Sequence, residues 1–425
     1  MFDMHHKKTA RPLATRPGFT LVEILVVITI IGILAGIAIP AIVRARTTAN
    51  TAFLRNECAN FEQAIEAYRL KYGDYPPDFS DWPLAQRHYS RIFPEILDSE
   101  LELLYRLSDN AADDLSVDDS ASRGTTFVPA LLDRAEALVW AVGGFSANPQ
   151  RPFTGTGGPL TKWPGADAVA SGNSHNINIR PEYYQYNSER DNQLMDLDSS
   201  SLSIQGPDSS AVMGPTNRSM SNDERERTGV SIMAEMDLFP VYRYRDGHAP
   251  YVYFDARTYR AIGLSLMLHN NTATPQGNGY FTHNGDHFNV VRPILSTTIN
   301  SSVNPPYPTA ATALRQWNFV NDKTFQILNP GLDGVYGSVG DDDGGDPAVS
   351  GTGGTSTPIY WQYPTGRIMA PIVAATTADG LFNGTVQKYN INSLGAAIVG
   401  SELAESFEKD NVANFTERSF ENDLP

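Results

Sequence analysis

Between residues 24 and 43 the only polar side chain is Thr29, and about 20 helical residues at 1.5 Å each match the roughly 30 Å hydrocarbon core of a bilayer. The pattern then changes. Leu54, Cys58, Phe61, Ile65, Tyr68 and Tyr72 recur at alternating spacings of four and three, which is one apolar stripe on a helix. Asn56, Glu57, Asn60, Glu62, Glu66 and Arg69 fall on the other faces. The two patterns predict a single helix over 19–72, on the order of 80 Å long, apolar all round in its first half and amphipathic in its second. Gly73-Asp74-Tyr75-Pro76-Pro77 should end it, with glycine at the C-cap and two prolines that cannot continue a helix.

Beyond the helix, apolar residues at helical intervals predict helices over 92–107 and 128–142. Residues 146–235 are rich in Asn, Ser, Gly and Asp and show little periodicity, so they read as long, partly mobile loops. Together 74–235 reads as an insertion, helical and then loop-rich. Strand patterns concentrate in 236–425. Alternation of β-branched or aromatic residues with polar ones predicts strands over 238–245 and 251–259, joined as a hairpin around Asp246-Gly247-His248. Residues 325–328 form another short strand, and 410–416 reads as a closing segment on the sheet. The fold class expected is α+β.

Composition narrows the function classes. The chain has 425 residues and a formal net charge of −16, from 48 acidic and 32 basic residues. This balance disfavours nucleic acid as a partner, because phosphate binding needs a concentrated positive surface. The one cysteine, Cys58, rules out an intrachain disulfide and falls on the helix stripe, where packing accounts for it. Lys7, Lys8, Arg11 and Arg16 precede the apolar run and Arg44 and Arg46 follow it, a bias that modestly favours a cytoplasmic N-terminus.

Glu23, at the edge of the apolar run, is the residue that asks for an explanation. A carboxylate at the mouth of a membrane helix costs a few kcal/mol unless a cation meets it. Cleavage between Gly18 and Phe19 would create that cation, an α-amino group one helical turn away. Gly18, Phe19, Thr20, Leu21 and Glu23 fit the motif G, F, T or S, L, x, E at every fixed position, and in this the chain resembles the type IV pilins and type II secretion pseudopilins. An ordinary secretory signal would place its cleavage site after the apolar core, not before it.

The resemblance implies a pilin-like fold, with the long helix packed on an antiparallel sheet, and a division into leader (1–18), membrane and assembly helix (19–43) and amphipathic continuation (44–73). It implies cleavage by a prepilin peptidase after Gly18, N-methylation of Phe19, and pairing of Glu23 with the N-terminus of a neighbouring subunit. It also implies a single-pass inner-membrane protein whose leader is cytoplasmic and whose C-terminal domain is periplasmic. Pro40 falls where members of the family carry a helix-bending proline. Lys71-Tyr72-Gly73-Asp74-Tyr75-Pro76 is similar to the end of the long helix in the major pseudopilin, which points to a type II secretion fibre. A type IV pilus subunit acting in adhesion is the alternative. The exported part is much larger than in a typical major pseudopilin.

A second cluster runs from Asn329 to Asp346. Calcium takes six to eight oxygen ligands on a sharply turning chain, and Asp333, Asp341, Asp342, Asp343 and Asp346 among glycines supply both; the phrase resembles the calcium loop of secretion pseudopilins. It is not an EF-hand, because the twelfth position from Asp341 is Thr352 rather than glutamate. A solvated acidic loop is the other reading, and Asp410 is a further group that would close a site. His283, Asp286 and His287 surround Asn284-Gly285, a turn signal, and read as a surface loop. With no HExxH, GxSxG or Walker motif in the chain, the expected role is assembly and not catalysis.

Overall fold

The computed structural model describes residues 20–108, 132–170, 177–214, 217–221, 238–259, 266–269, 272–275, 280–284, 287–300, 302, 315–334, 336, 348–350, 356–358, 360–365, 367–370, 387–389, 411–416 and 419. The chain divides into two compact units, 1–50 and 51–425. Helix α1 spans Leu21–Tyr72. Its stripe is buried as the spacing predicts: Leu54, Cys58, Phe61, Ile65 and Tyr68 are all in the core, and Tyr72 packs on its margin. The helix ends at Gly73, which has φ of +80° and donates its N–H to the Arg69 carbonyl at 2.7 Å. A left-handed residue there costs glycine little.

The second unit is layered around a sheet buried on both sides. Phe325–Asn329 is its central strand, flanked antiparallel by Val252–Asp255 and Val412–Ala413. Alternate residues of a strand face opposite ways, and the two cores divide on that parity. Tyr251, Tyr253, Phe325, Ile327 and Val412 join the core that contains the α1 stripe. Val252, Phe254, Leu328 and Ala413 join the second core with Leu295, Phe319, Tyr360 and Trp361. Those last four come from a five-stranded sheet in the order Trp317–Phe319, Leu295–Ile299, Tyr360–Tyr363, Arg367–Ala370, Gln387–Tyr389, antiparallel throughout except between the second and third strands. Gln326, fully buried, bridges the layers. Its amide accepts from Ile294 N–H at 2.7 Å and donates to the carbonyls of Ile294 and Val320, so its polar atoms are satisfied without water.

The result is an α+β fold with a long N-terminal helix, antiparallel sheets and additional helices, as the pattern indicated. The strand over 325–328 and the closing segment are present. The hairpin is not: 251–259 contributes Val252–Asp255 as a strand paired with the central one, and 238–245 forms no strand. Instead Val241 and Arg243 exchange backbone hydrogen bonds with Ser203 and Ser201, which gives their polar groups partners that the alternation pattern could not reveal.

The helix expected over 92–107 begins later, as α3 (Asp98–Ser108), and a separate helix, α2 (Trp82–Ile92), ends where it was expected to start. Pro94 explains the break. It has no N–H to donate and pushes Phe93 out of helical geometry, to φ −124° and ψ 79°. Of 128–142 only α4, Glu136–Val142, is helical among the described residues. All seven of its residues are buried, and the fully buried Trp140 packs among Phe79, Phe145, Phe153 and Phe239.

The described part of 146–235 also departs from the mobile-loop expectation. Phe153, Leu160, Trp163, Tyr183 and Tyr184 belong to the helix core, and Leu160–Lys162 pairs antiparallel with Tyr184–Tyr186. Buried Arg190 donates to the carbonyls of Val139, Trp140 and Gly144, satisfying the C-terminal end of α4 where backbone acceptors have no partners within the helix. The polar composition that suggests a loop here serves local turns, with Asn187, Asp198 and Asp208 hydrogen-bonded to backbone groups two residues on.

Two polar groups tie α1 to these layers. Glu57, placed by the spacing on an outer face, is buried; its carboxylate accepts from Tyr242 Oη at 2.8 Å and from Tyr251 Oη. Desolvation pushes its pKa up, against the pull of the two hydroxyls. His88 on α2 is buried between Tyr68 Oη, 2.8 Å from Nε2, and Asp74, whose Oδ2 is 3.6 Å from Nδ1. The same Asp74 oxygen meets Arg91 at 2.6 Å and Arg257 at 2.8 Å. Burial, with these two guanidiniums, pushes His88 down to about 4, against the opposing pull of Asp74.

Two predictions follow from these contacts. Tyr251→Phe leaves a buried carboxylate one donor short and should lower the unfolding free energy by about 2 kcal/mol, the size of a hydrogen bond to a charged group, as read by chemical denaturation; an unchanged midpoint would remove Glu57 from the helix anchorage. The unfolded chain protonates His88 near its ordinary 6.5 while the folded chain resists until about 4, so the stability held above pH 6.5 is lost as pH falls through that window. Asp255, raised to about 6 chiefly by burial, works in the opposite sense, so the comparison is with His88→Asn. The variant should show a shallower fall in melting temperature between pH 6.5 and 4, and identical acid limbs would acquit His88.

Candidate functional site: the start of the long helix

Helix α1 begins on a reciprocal cap. Thr20 N–H and Thr20 Oγ1 both donate to Glu23 Oε2, at 2.8 and 2.9 Å, and Glu23 N–H donates back to Thr20 Oγ1 at 3.2 Å. This is the capping box, in which a threonine at the N-cap and a glutamate three residues on satisfy each other's backbone donors. The Thr-x-x-Glu spacing of a capping box is legible in the sequence at Thr20 and Glu23. The carboxylate also lies where the helix dipole favours a negative group. Glu23 therefore has a structural partner on its own chain, and one of its oxygens, Oε1, takes no part in that cap. Gly18 and Phe19 lie outside the described residues.

From Leu21 onward α1 presents its apolar side chains outward. Ile24 to Val43 are exposed at nearly every large residue, with Ile37 at 71%, a pattern tolerable in lipid or against other helices and costly in water. The polar group inside the run is internally satisfied, since Thr29 Oγ1 donates to the Leu25 carbonyl at 2.7 Å, as a spanning segment requires. Pro40 sits inside the helix and has no N–H to offer the carbonyl of Gly36. Among the described residues α1 is the one helix long and apolar enough to cross a membrane.

Residues 14–39 match the family model of the prokaryotic N-terminal methylation motif. The chain carries a prokaryotic N-terminal methylation motif. The match contains Gly18, Phe19, Glu23 and the apolar run up to Ile39, and such a motif implies processing by a prepilin peptidase and assembly with other pilin-like subunits. No curated protein matches the chain, and no solved structure does. The pilin-type reading thus rests on the N-terminal motif, together with the α+β architecture that follows it.

The other chemistry-bearing clusters stand apart from this site. Asp333 is exposed on a turn between Gly331 and Gly334, both left-handed at φ +76° and +78°. A Cβ at Gly334 would lie 2.5 Å from the His248 ring, so glycine is required there on two counts. Asp341, Asp342, Asp343, Asp346 and Asp410 lie outside the described residues. No group of three or more His, Cys, Asp or Glu is placed to hold a metal among the described residues. His283 and His287 are not in a loop: they occupy strands Tyr280–Asn284 and His287–Val291, in register with Phe288 and Asn284 respectively, and Asp286 is outside the described residues. Cys58 is buried in the helix core, where desolvation pushes its thiol pKa far up, the opposite of what a nucleophile needs.

Proposed function

We propose that this chain is a pseudopilin subunit of a type II protein secretion system. It is inserted in the inner membrane with the leader cytoplasmic, cleaved after Gly18 by a prepilin peptidase, methylated at Phe19, and assembled through α1 into a periplasmic fibre. The observation that carries the reading is the methylation motif over 14–39 leading into a helix whose apolar run is exposed at nearly every large residue. The Lys71 to Pro76 phrase at the end of that helix favours secretion over the pilus.

In this mechanism apolar segments pack side by side and Glu23 sets their register. Its carboxylate is pre-positioned by Thr20 at the mouth of the span, and in low dielectric an unpaired charge is costly. The incoming α-amino group of a neighbour removes that cost at one axial offset only. Assembly is then selected by electrostatics and driven by packing.

The test is direct. Mass spectrometry of the membrane form should find a chain beginning at methylated Phe19, and Glu23→Val should remain in the membrane while losing fibre assembly; an intact leader would overturn the reading. Deleting the chain should trap exported proteins in the periplasm, whereas loss of surface pili with secretion intact would favour the pilus reading.

We extend the proposal to calcium at the acidic loop, with Asp333, Asp341, Asp342, Asp343 and Asp346 as ligands. Saturating calcium should raise the melting temperature over chelator, by the linkage of binding to folding. Equal melting temperatures would leave the loop as a solvated acidic turn.

A further inference from the structure

On the second half of α1 two large apolar side chains stay outside the core, Leu70 and Phe53, and Phe53 is the one that packs against a ring of another segment. Phe53 is 50% exposed and its ring lies 5.7 Å from that of Tyr244. Tyr244 in turn meets the His248 ring edge-on at 5.7 Å. The Arg245 guanidinium sits 4.6 Å from the Tyr244 ring centroid and donates to Tyr244 Oη at 2.9 Å. The adjacent carboxylate, Asp246, pairs with Arg243. An exposed aromatic ring, a half-buried second ring and an exposed cation thus share one surface, the composition that interface hot spots favour.

We propose that the Phe53, Tyr244 and Arg245 stack is a contact for a neighbouring copy of this chain in the assembled fibre, the aromatic rings taking an apolar side chain and Arg245 a carboxylate. The inference rests on the assembly reading above. Phe53 lies on α1, the helix along which copies would be laid side by side, so a chain lying against the soluble part of α1 meets this stack. Each copy carries 48 acidic residues against 32 basic, which makes a carboxylate the commonest charged group a neighbour can offer. Lipid fits poorly. Phe53 follows Val43 by ten positions in the same helix, about 15 Å at 1.5 Å per residue, while the polar layer beyond the hydrocarbon core is roughly 5–8 Å thick on each side.

The experiment places a photoreactive phenylalanine analogue at Phe53 in the full chain, in cells that assemble the fibre, and at Ile33 as a separate reporter of assembly through the apolar run. Irradiation should give a ladder of multimers of this chain from both positions, and Arg245→Gln should lower the yield at position 53 about threefold, the scale of an exposed ion pair. A ladder from position 33 with none from position 53, or a phospholipid adduct at 53, would overturn the proposal while leaving the assembly reading intact. No ladder from either position would overturn both.

Discussion

The structure depends on one helix having to satisfy two environments. Over its first half α1 carries apolar side chains on every face and leaves them uncovered; over its second half it carries a single apolar stripe and buries it. The hydrophobic effect acts on both halves with the same strength per unit area, and differs only in what is available to cover the surface. For the stripe the cover is the chain's own sheet and the short helices around it. For the first half no cover is found among the described residues, and a surface of that kind is stable in lipid or against other helices.

That division explains the layering of the larger unit. A stripe on one helix needs one apolar sheet face, and the central sheet supplies it with Tyr251, Tyr253, Phe325, Ile327 and Val412. The opposite face of the same strands is then also apolar and needs a second cover, which the five-stranded sheet provides. Several of the polar side chains inside fasten layers together. Glu57 holds α1 to the segments carrying Tyr242 and Tyr251, Asp78 holds the chain after α1 to Arg134 and Thr258, and Gln326 joins the two sheets. Each is hydrogen-bonded, as burial demands.

At the start of α1 one residue serves the fold and, in the proposed function, assembly as well. Glu23 closes a capping box with Thr20, which accounts for an acid at this position without any partner subunit, and in the proposed assembly the same carboxylate would receive a neighbour's α-amino group. Structural satisfaction on the chain's own backbone and electrostatic pairing between chains are compatible because a carboxylate accepts several hydrogen bonds. The cap fixes the direction of the group and leaves capacity for a second donor.

The sequence by itself determined the membrane-length helix, its amphipathic continuation, its stop at Gly73 and the cleavage and methylation motif, because these are written in local periodicity and in contiguous residues. It also located the strand over 325–328 and the closing segment, short runs in which apolar residues alternate or cluster between polar ones. Only the tertiary structure decided that Val252–Asp255 pairs with a strand some seventy residues away rather than with its neighbour in sequence, that Glu57 is buried, and that the polar stretch around Arg190 is packed into the core. In each case the deciding partner is distant in the chain: Phe325 to Leu328 for the strand, Tyr242 and Tyr251 for Glu57, the carbonyls at the end of α4 for Arg190. Periodicity reports what a residue would prefer to face, and hydrogen-bond satisfaction in the core depends on which distant groups arrive there.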